Sequence, residues 1–137
     1  MLAPSAGYAN AGAPKNDDSL VLRVELGRGS VLLEGDAEGA SERAMVAGGR
    51  GAPVTLLKVG HHGSRSSTSA DFFRAAAPRD AVISVGKGNT FGHPRGEVIG
   101  RIADAWTRLF RTDEFGLTTF LIGRDGGIVE VVGAGDE

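Results

Sequence analysis

The segment LLKVGHHGSRSSTS, residues 56–69, ends a run of apolar residues with two adjacent histidines. Its apolar part belongs to PVTLLKVG, residues 53–60, which is typical of a buried strand. His61 and His62 follow that strand, and a glycine and several hydroxyl residues come next, so a sharp turn is expected. The pattern predicts a strand that delivers imidazole rings to one edge of a sheet.

Strands and helices alternate on both sides of this segment. Four strands are predicted, the first two forming a hairpin, at residues 19–26, 31–36, 53–60 and 80–86. A second hairpin is predicted near the end of the chain, around Asp125-Gly126-Gly127.

Three helices are predicted between these strands. The first covers residues 37–47, and the second covers residues 68–77 with Thr68 as its N-cap. The third follows Pro94 and carries one apolar stripe, formed by Val98, Ile102, Ala105 and Leu109. Strands that alternate with helices between two hairpins indicate an α/β fold, with a mixed sheet and flanking helices.

The composition is that of one globular domain. The chain has 137 residues, of which 41% are hydrophobic and 23% are charged. A net charge of −2 provides no global basic field, so a nucleic-acid partner would have to be held by local chemistry. The absence of cysteine excludes disulfides and thiolate metal sites.

The ends of the chain are interpreted from their composition. Residues 1–15 are rich in small residues and are expected to form a flexible lead, without the features of a signal peptide. The folded domain is then expected at residues 16–133, followed by a tail at residues 134–137. No apolar run approaches the roughly 20 residues that cross a bilayer, so a soluble chain is expected.

Polar side chains follow three consecutive strands of the predicted sheet. Asp36 follows the second strand, His61 and His62 follow the third, and His93 closes the loop after the fourth. The carboxyl ends of strands in an open α/β sheet are where ligands bind. Imidazole nitrogens and a carboxylate suit zinc, manganese or iron, so the sequence predicts a metal site at this edge.

Each of these residues also has a simpler interpretation. Asp36 after a glycine could be a helix N-cap, and a histidine in a glycine turn is usually solvated. The hydroxyl cluster between residues 64 and 68 is more often turn chemistry than catalysis. The loop GKGNTFG lacks the spacing of a phosphate-binding P-loop, and no G-x-S-x-G nucleophile motif occurs in the chain.

Five segments in order carry a resemblance to a known family. NDDSLVLRVEL, VLLEGDAE, LLKVGHHGSRSSTS, AVISVGKGNTFGHP and RTDEFGLTTFLIG resemble the metallo-β-lactamase-type domain of ComEC-family competence proteins, which take part in DNA uptake. The match covers nearly the whole chain from about Asn16. The resemblance implies a four-layer αββα sandwich with a two-metal site that hydrolyses phosphodiesters, in an extracytoplasmic domain of a bacterial membrane protein.

The resemblance also implies roles for the four polar residues. Asp36 matches the aspartate that bridges the two metals of such domains. His61 and His62 match a late histidine ligand and a neighbouring substrate-contacting histidine, and which of the two holds metal stays open. His93 matches a further position on the rim. The implied metal residues are therefore Asp36, His61 and His62, and the implied catalytic residues are His62 and His93.

One departure from the family pattern limits these expectations. Such domains carry an early His-x-His-x-Asp-His segment, whereas this chain has three histidines and none lies before Asp36. We therefore expect the sequence to represent the C-terminal half of the domain: a fragment, a truncated reading frame or a half that needs a partner. The two metals cannot be filled from the residues present, so the isolated chain is expected to be a poor enzyme.

Two hypotheses follow. In the first, the chain is part of a metal-dependent phosphodiesterase or nuclease with zinc or manganese, two ions in the complete domain, and DNA or another phosphodiester as substrate. Its other partners would be the missing N-terminal half or a second copy paired through the exposed edge at residues 19–26. In the second, the chain is a non-catalytic remnant or binding module that keeps the fold without a full metal site.

Overall fold

The computed structural model describes residues 1–132 and shows an α/β fold built on a mixed five-stranded sheet. The strands lie in chain order across the sheet: β1 Leu22–Leu26, β2 Gly29–Leu33, β3 Leu56–Lys58, β4 Asp80–Ile83 and β5 Arg108–Arg111. β1 is antiparallel to β2, and the other pairs are parallel. The predicted α/β class and mixed sheet are confirmed, whereas the predicted tail of residues 134–137 lies outside the described residues.

The helices cover one face of this sheet. They are α1 Gly39–Ala47, α2 Ala70–Ala76, α3 Gly96–Asp104 and the single turn α4 Thr112–Phe115. The largest buried side chains of this face are Leu32, Leu57 and Ile83 from strands, with Met45, Phe72 and Ile102 from helices. Burying each such side chain contributes roughly 1.5–3 kcal/mol, so this layer is the main source of stability. Within residues 1–132, no helix has the length and apolar character needed to cross a membrane.

The predicted C-terminal hairpin is also present, as β6 Thr118–Ile122 paired antiparallel with β7 Ile128–Val132. It forms a sheet of its own and packs against the main sheet. The Phe120 ring meets the Phe110 ring edge to face with centroids 5.2 Å apart, and the Arg28 amide donates to the Arg124 carbonyl at 2.7 Å. Gly27, with φ 59°, fits this approach because a Cβ there would lie 2.3 Å from the Arg124 carbonyl oxygen.

The predicted third helix is wrong at its C-terminal end. The helix stops at Asp104, and Leu109 of the predicted stripe lies instead in β5, a strand that the sequence pattern did not indicate. Trp106, with φ 57°, turns the chain back towards β4. The Arg108 side chain then binds Asp80 of β4 at 2.6 and 3.0 Å. Pairing with β4 therefore overrides the helical period, because it places Leu109 against the core as a strand residue.

The N-cap predicted for α2 is also wrong, by one residue. Ser69 caps the helix by accepting from the Phe72 amide at 3.4 Å. Thr68 is fully buried with φ 51°, and its hydroxyl donates to Glu34 at 2.8 Å instead. The Thr68 hydroxyl is therefore bonded to the buried carboxyl group of Glu34 and does not cap the helix.

The start of the chain is attached to the fold earlier than expected. Ala3 is 95% buried and forms an antiparallel bridge with Val21, although the folded domain was expected from Asn16. The Arg50 guanidinium donates to the Leu2 carbonyl at 2.8 Å. Residues 2 and 3 thus extend the sheet beside β1, because an edge strand leaves backbone groups to pair.

The second face of the sheet is apolar and incompletely covered. Alternation along the strands puts Val24 and Leu26 of β1 on this face together with Leu33 of β2. Their side chains are 54%, 41% and 37% exposed. The hairpin covers Phe110 at the far end of the sheet. Among the residues described, no second large sheet lies over β1 and β2.

We expect this open apolar face to make the chain self-associate, because exposed strand edges and apolar patches favour pairing with another copy. The double variant Val24→Thr/Leu33→Thr should shift the chain towards monomer in analytical ultracentrifugation. Leu121→Thr serves as the control, because Leu121 is 60% exposed on the hairpin strand β6. A wild-type chain that sediments as a monomer at all concentrations and melts cooperatively would contradict this expectation.

Candidate functional site

Three parallel strands bring the polar residues predicted from sequence to one edge of the sheet. Asp36 follows β2, His61 and His62 follow β3, and His93 lies in the loop after β4. The Nε2 atom of His62 lies 3.9 Å from an Asp36 carboxylate oxygen. The His61 ring centroid is 6.4 Å from that of His62 and 5.7 Å from that of His93. The four side chains therefore lie close together at this edge of the sheet.

The two histidines sit in an unusual backbone turn. His61 has φ 43° and His62 has φ 54°, so two consecutive non-glycine residues are left-handed. Such residues cost of order 1–3 kcal/mol each and persist only where surrounding contacts hold them. One of those contacts is the His61 amide, which donates to the Gly35 carbonyl at 2.9 Å. The turn is thus tied to the chain just before Asp36.

A pair of buried carboxyl groups, Glu34 and Glu42, supports this turn from behind. Both are completely buried. Glu34 accepts from the Gly60 amide at 3.0 Å and from the Thr68 hydroxyl at 2.8 Å, and Glu42 accepts from the Ser69 amide at 2.8 Å. A Cβ on Gly60 would lie 2.7 Å from the Glu34 carboxyl carbon, so only glycine fits there. The carboxyl pair thereby joins β2 and α1 to both ends of the segment 60–69.

Burial favours the neutral form of Glu34. It raises the pKa of Glu34 well above its ordinary value, and hydrogen bonding to Glu42 and the charge of Glu42 raise it further. The protonated form of Glu34 is therefore favoured over its carboxylate. A neutral carboxyl group beside Glu42 avoids the cost of burying two negative charges together.

Stability should consequently fall as the pH rises above the ordinary glutamate value of 4.5. The unfolded chain releases the Glu34 proton near that pH, while the folded chain keeps it. The free energy of unfolding therefore falls by up to about 1.4 kcal/mol per pH unit until the folded-state pKa is reached. Glu34→Gln keeps an acceptor for Gly60 and should flatten this slope. Denaturant unfolding at pH 5, 6, 7 and 8 measures it. Glu25→Gln, at a carboxylate that is 65% exposed, is the control and should leave the slope unchanged.

His62 is held so that one nitrogen faces Asp36. Its Nδ1 lies 2.6 Å from the Ser84 carbonyl oxygen, which can only accept, so Nδ1 carries the proton. In the neutral ring, the lone pair is then on Nε2, the atom that faces Asp36. A backbone carbonyl on the far nitrogen is the usual support of a metal-binding histidine.

His61 is held in a similar way by a residue that sequence reasoning missed, Glu38. The His61 Nδ1 lies 3.4 Å from a Glu38 carboxylate oxygen. Glu38 also accepts from the side-chain amide of Asn16 at 3.0 Å and from the Ser66 hydroxyl at 2.8 Å. These hydrogen bonds lower the pKa of Glu38 below its ordinary value, so its carboxylate stays ionised and orients the ring.

His93 lies on the rim of the cleft in a partly buried position. Burial lowers the pKa of its imidazole, and the positive charge of Arg95 lowers it further. Its backbone is clasped by Asn89, which accepts from the His93 amide at 3.1 Å and donates to the His93 carbonyl at 2.7 Å. A neutral ring in a fixed loop suits hydrogen bonding better than charge attraction.

Asp36 is not the helix cap that a simpler interpretation suggested. The N-cap of α1 is Glu38, and the backbone amides of Glu38 and Ser41 donate to Asp17 at 2.9 and 3.2 Å. The Asp36 side chain is 42% exposed and faces His62 instead. Its carboxylate is therefore available to a ligand in the cleft.

The donors at this edge supply part of a metal site. Across residues 1–132, no three His, Asp or Glu side chains converge closely enough to hold one ion. Asp36 and His62 come nearest, while His61 is turned towards Glu38. A structural or catalytic zinc ion takes at least three protein ligands. The residues present thus do not complete a centre for zinc or manganese by themselves.

Two supporting residues, Glu34 and Glu38, were not identified as part of the site from sequence. Both lie in the quoted segment VLLEGDAE, on either side of Asp36. A glutamate that ends an apolar strand is a signal for a buried carboxyl group, because such a side chain is rarely placed there without a partner. The partners themselves, Thr68 and Ser66, could not be identified without the fold.

The chain is similar to several longer bacterial proteins. It is 39% identical over 104 residues to ComE operon protein 3 of Bacillus subtilis, which covers 76% of this chain and 13% of that protein. It is 38% identical over 112 residues to Competence protein ComA of Neisseria gonorrhoeae, covering 81% and 16%. It is 39% identical over 89 residues to Recombination protein 2 of Haemophilus influenzae, covering 64% and 11%.

These matches support conclusions about the chain's family but not about the whole activity of the longer proteins. The matches cover only 11–16% of the length of these relatives. No protein-family model matches it. Three relatives at 38–39% identity nevertheless share most of the described sequence, and two of them bear names from competence. The similarities therefore support a place for this chain in a family of competence proteins.

Proposed function

We propose that this chain is part of a metal-dependent phosphodiesterase or nuclease of the metallo-β-lactamase type that acts in DNA uptake. The observation that carries the proposal is the convergence of Asp36, His61, His62 and His93 at the carboxyl edge of three parallel strands. Two similar proteins are named for competence. DNA or another phosphodiester is the proposed substrate of the complete protein.

The metal residues in this proposal are Asp36, His61 and His62. Two features support them: the 3.9 Å approach of His62 Nε2 to Asp36, and the support of each imidazole at Nδ1 by Ser84 or Glu38. The proposed ions are zinc or manganese, two in the complete domain. Because the described donors do not complete a centre, further ligands are proposed to come from sequence beyond these 137 residues.

His62 and His93 are the proposed catalytic residues of the complete protein. Both line a cleft of about 190 Å³ beside the candidate metal residues. A neutral imidazole can donate a hydrogen bond to a phosphate oxygen through its N–H, which suits the lowered pKa of His93. The role proposed for these rings is to position the phosphodiester rather than to hold it by charge.

The open apolar face is proposed to pack against a second sheet in the complete protein, giving a four-layer αββα sandwich. The exposed side chains of Val24, Leu26 and Leu33 support this arrangement. A sheet packed face to face on β1 and β2 would remove this apolar surface from water. We further propose that the complete protein is a bacterial membrane protein and that this domain is extracytoplasmic.

A second candidate function is that of a binding module without catalysis. It is favoured by the incomplete donor set, since no three candidate ligands converge within the described part of the chain. Such a module would keep the cleft and its histidines but would hold no ordered ion. Metal binding separates the two candidates.

We expect the isolated chain to bind zinc or manganese weakly and to show negligible phosphodiester hydrolysis, because too few ligands are present. Titration calorimetry with each ion measures binding, and a nuclease assay measures cleavage. Asp36→Asn, which removes the charge at constant shape, should weaken binding by at least ~10-fold, since even supporting residues of metal sites matter at that level. His93→Ala should leave the affinity within about twofold, because His93 is assigned to substrate.

A longer protein that contains this chain and the segment with the additional ligands should recover tight binding and hydrolysis. In that protein, Asp36→Ala should reduce cleavage more than His93→Ala, because a bridging carboxylate contacts both ions. Absence of any metal binding in both proteins would favour the binding module. Robust metal-dependent cleavage by the 137 residues alone would overturn the proposal that ligands are missing.

A further inference from the structure

An exposed aromatic ring, Phe91, stands next to the candidate site and is not explained by packing. The Phe91 side chain is 73% exposed. Its ring lies nearly parallel to the His93 imidazole, at 18° with centroids 6.3 Å apart. The His93 ring in turn meets His61 at 5.7 Å. A continuous series of rings therefore leads from the candidate metal residues to an open aromatic face.

The loop that carries Phe91 is held firmly on the fold. Asn89 clasps both backbone polar groups of His93, and the Arg95 guanidinium donates to the Phe91 carbonyl at 3.0 Å. The Arg95 amide donates to the Gly63 carbonyl at 2.9 Å, which ties the loop to the histidine turn. Phe91 is thus presented to solvent by a fixed scaffold, so its exposure is not that of a loose chain end.

The cleft beside Phe91 has the size of a single ring system. It encloses about 190 Å³ and is lined by His62, Val85, Gly86, Asn89, Phe91 and His93. This volume is below the roughly 300–1,000 Å³ of sites for whole small molecules. His93, which lines this cleft, has a buried Nδ1 atom without a hydrogen-bond partner in the described structure. Buried polar groups without a partner are rare in native structures, so this nitrogen is a candidate contact for a bound molecule.

The charge of the loop favours a phosphate backbone near this ring. Residues 84–95 contain Lys87 and Arg95 and no acidic residue. Lys87 is exposed, and Arg95 lies directly beneath Gly92, next to Phe91. Proteins hold single-stranded nucleic acid by stacking its bases on exposed aromatic rings within a basic groove, and Arg95 supplies a cation next to Phe91 here.

We propose that Phe91 and the adjoining cleft form a subsite for an unpaired nucleobase next to the phosphodiester at the histidine turn. The proposal rests on the proposed function and names its substrate as single-stranded nucleic acid. A base inside a duplex cannot stack on Phe91, because both of its faces are covered by neighbouring base pairs. The histidines would then contact the phosphate of the nucleotide whose base, or whose neighbour's base, lies on Phe91.

The test is a binding measurement without added metal, which separates this subsite from hydrolysis. The wild-type chain is titrated at low salt against a fluorescent single-stranded DNA oligonucleotide and against an abasic oligonucleotide of equal length and charge. We expect the wild type to prefer the base-bearing strand about 10-fold, since one stacked base accounts for such a factor. Phe91→Ala should lose this preference, and Phe91→Tyr should keep it. Trp106→Ala is the control, because Trp106 is 94% exposed at the opposite end of α3.

A second readout locates the base directly. The chain has one tryptophan, so Trp106→Phe combined with Phe91→Trp leaves a single fluorophore at position 91. The base-bearing strand should quench this indole, and the abasic strand should not. Equal binding of both oligonucleotides by the wild type, or an unchanged preference in Phe91→Ala, would overturn the subsite. A preference for the base-bearing strand, together with a longer protein that neither binds metal nor cleaves DNA, would support the subsite while contradicting the proposed hydrolase.

Discussion

The buried carboxyl pair of Glu34 and Glu42 is the constraint on which the edge of the sheet depends. Hydrogen bonds from the Gly60 amide and the Thr68 hydroxyl fix both sides of the histidine turn to the end of β2. Without these acceptors, the buried amide of Gly60 would lose a partner, and the left-handed residues that follow would lose their support. Burial raises the pKa of Glu34, and the protonated form that this favours reduces the repulsion between the two buried acids.

Parallel pairing of β2, β3 and β4 converts sequence separation into proximity. Asp36, His61 and His93 are 25 or more residues apart in sequence, yet each follows a strand that ends at the same edge. Short connections keep the side chains near the strand ends. The Ser84 carbonyl, just after β4, accepts a hydrogen bond from Nδ1 of His62, which follows β3, and so orients its ring. The site is therefore a property of register, since a shift of any strand would separate its members.

The two faces of the sheet differ in how much of their apolar surface is covered. The helices bury most of one face, while apolar residues of β1 and β2 remain exposed on the other. The same contrast appears in the polar groups, because the carboxyl pair is fully hydrogen-bonded and the donors at the cleft do not complete a metal centre. Both features support the proposals of a second sheet over this face and of further metal ligands.

Local pattern in the sequence determined the class of the fold, both hairpins and the position of the polar residues at strand ends. Periods of two and 3.6 residues and glycine turns are short-range properties, and they predicted most strands and helices with small errors at the boundaries. Tertiary structure decided what depended on distant partners. β5 formed because Asp80 and β4 were there to pair with it. The Thr68 hydroxyl donates to Glu34 instead of capping α2, and Glu38 orients the His61 ring. These contacts join residues 34 and 23 positions apart in sequence, which only the folded chain brings together.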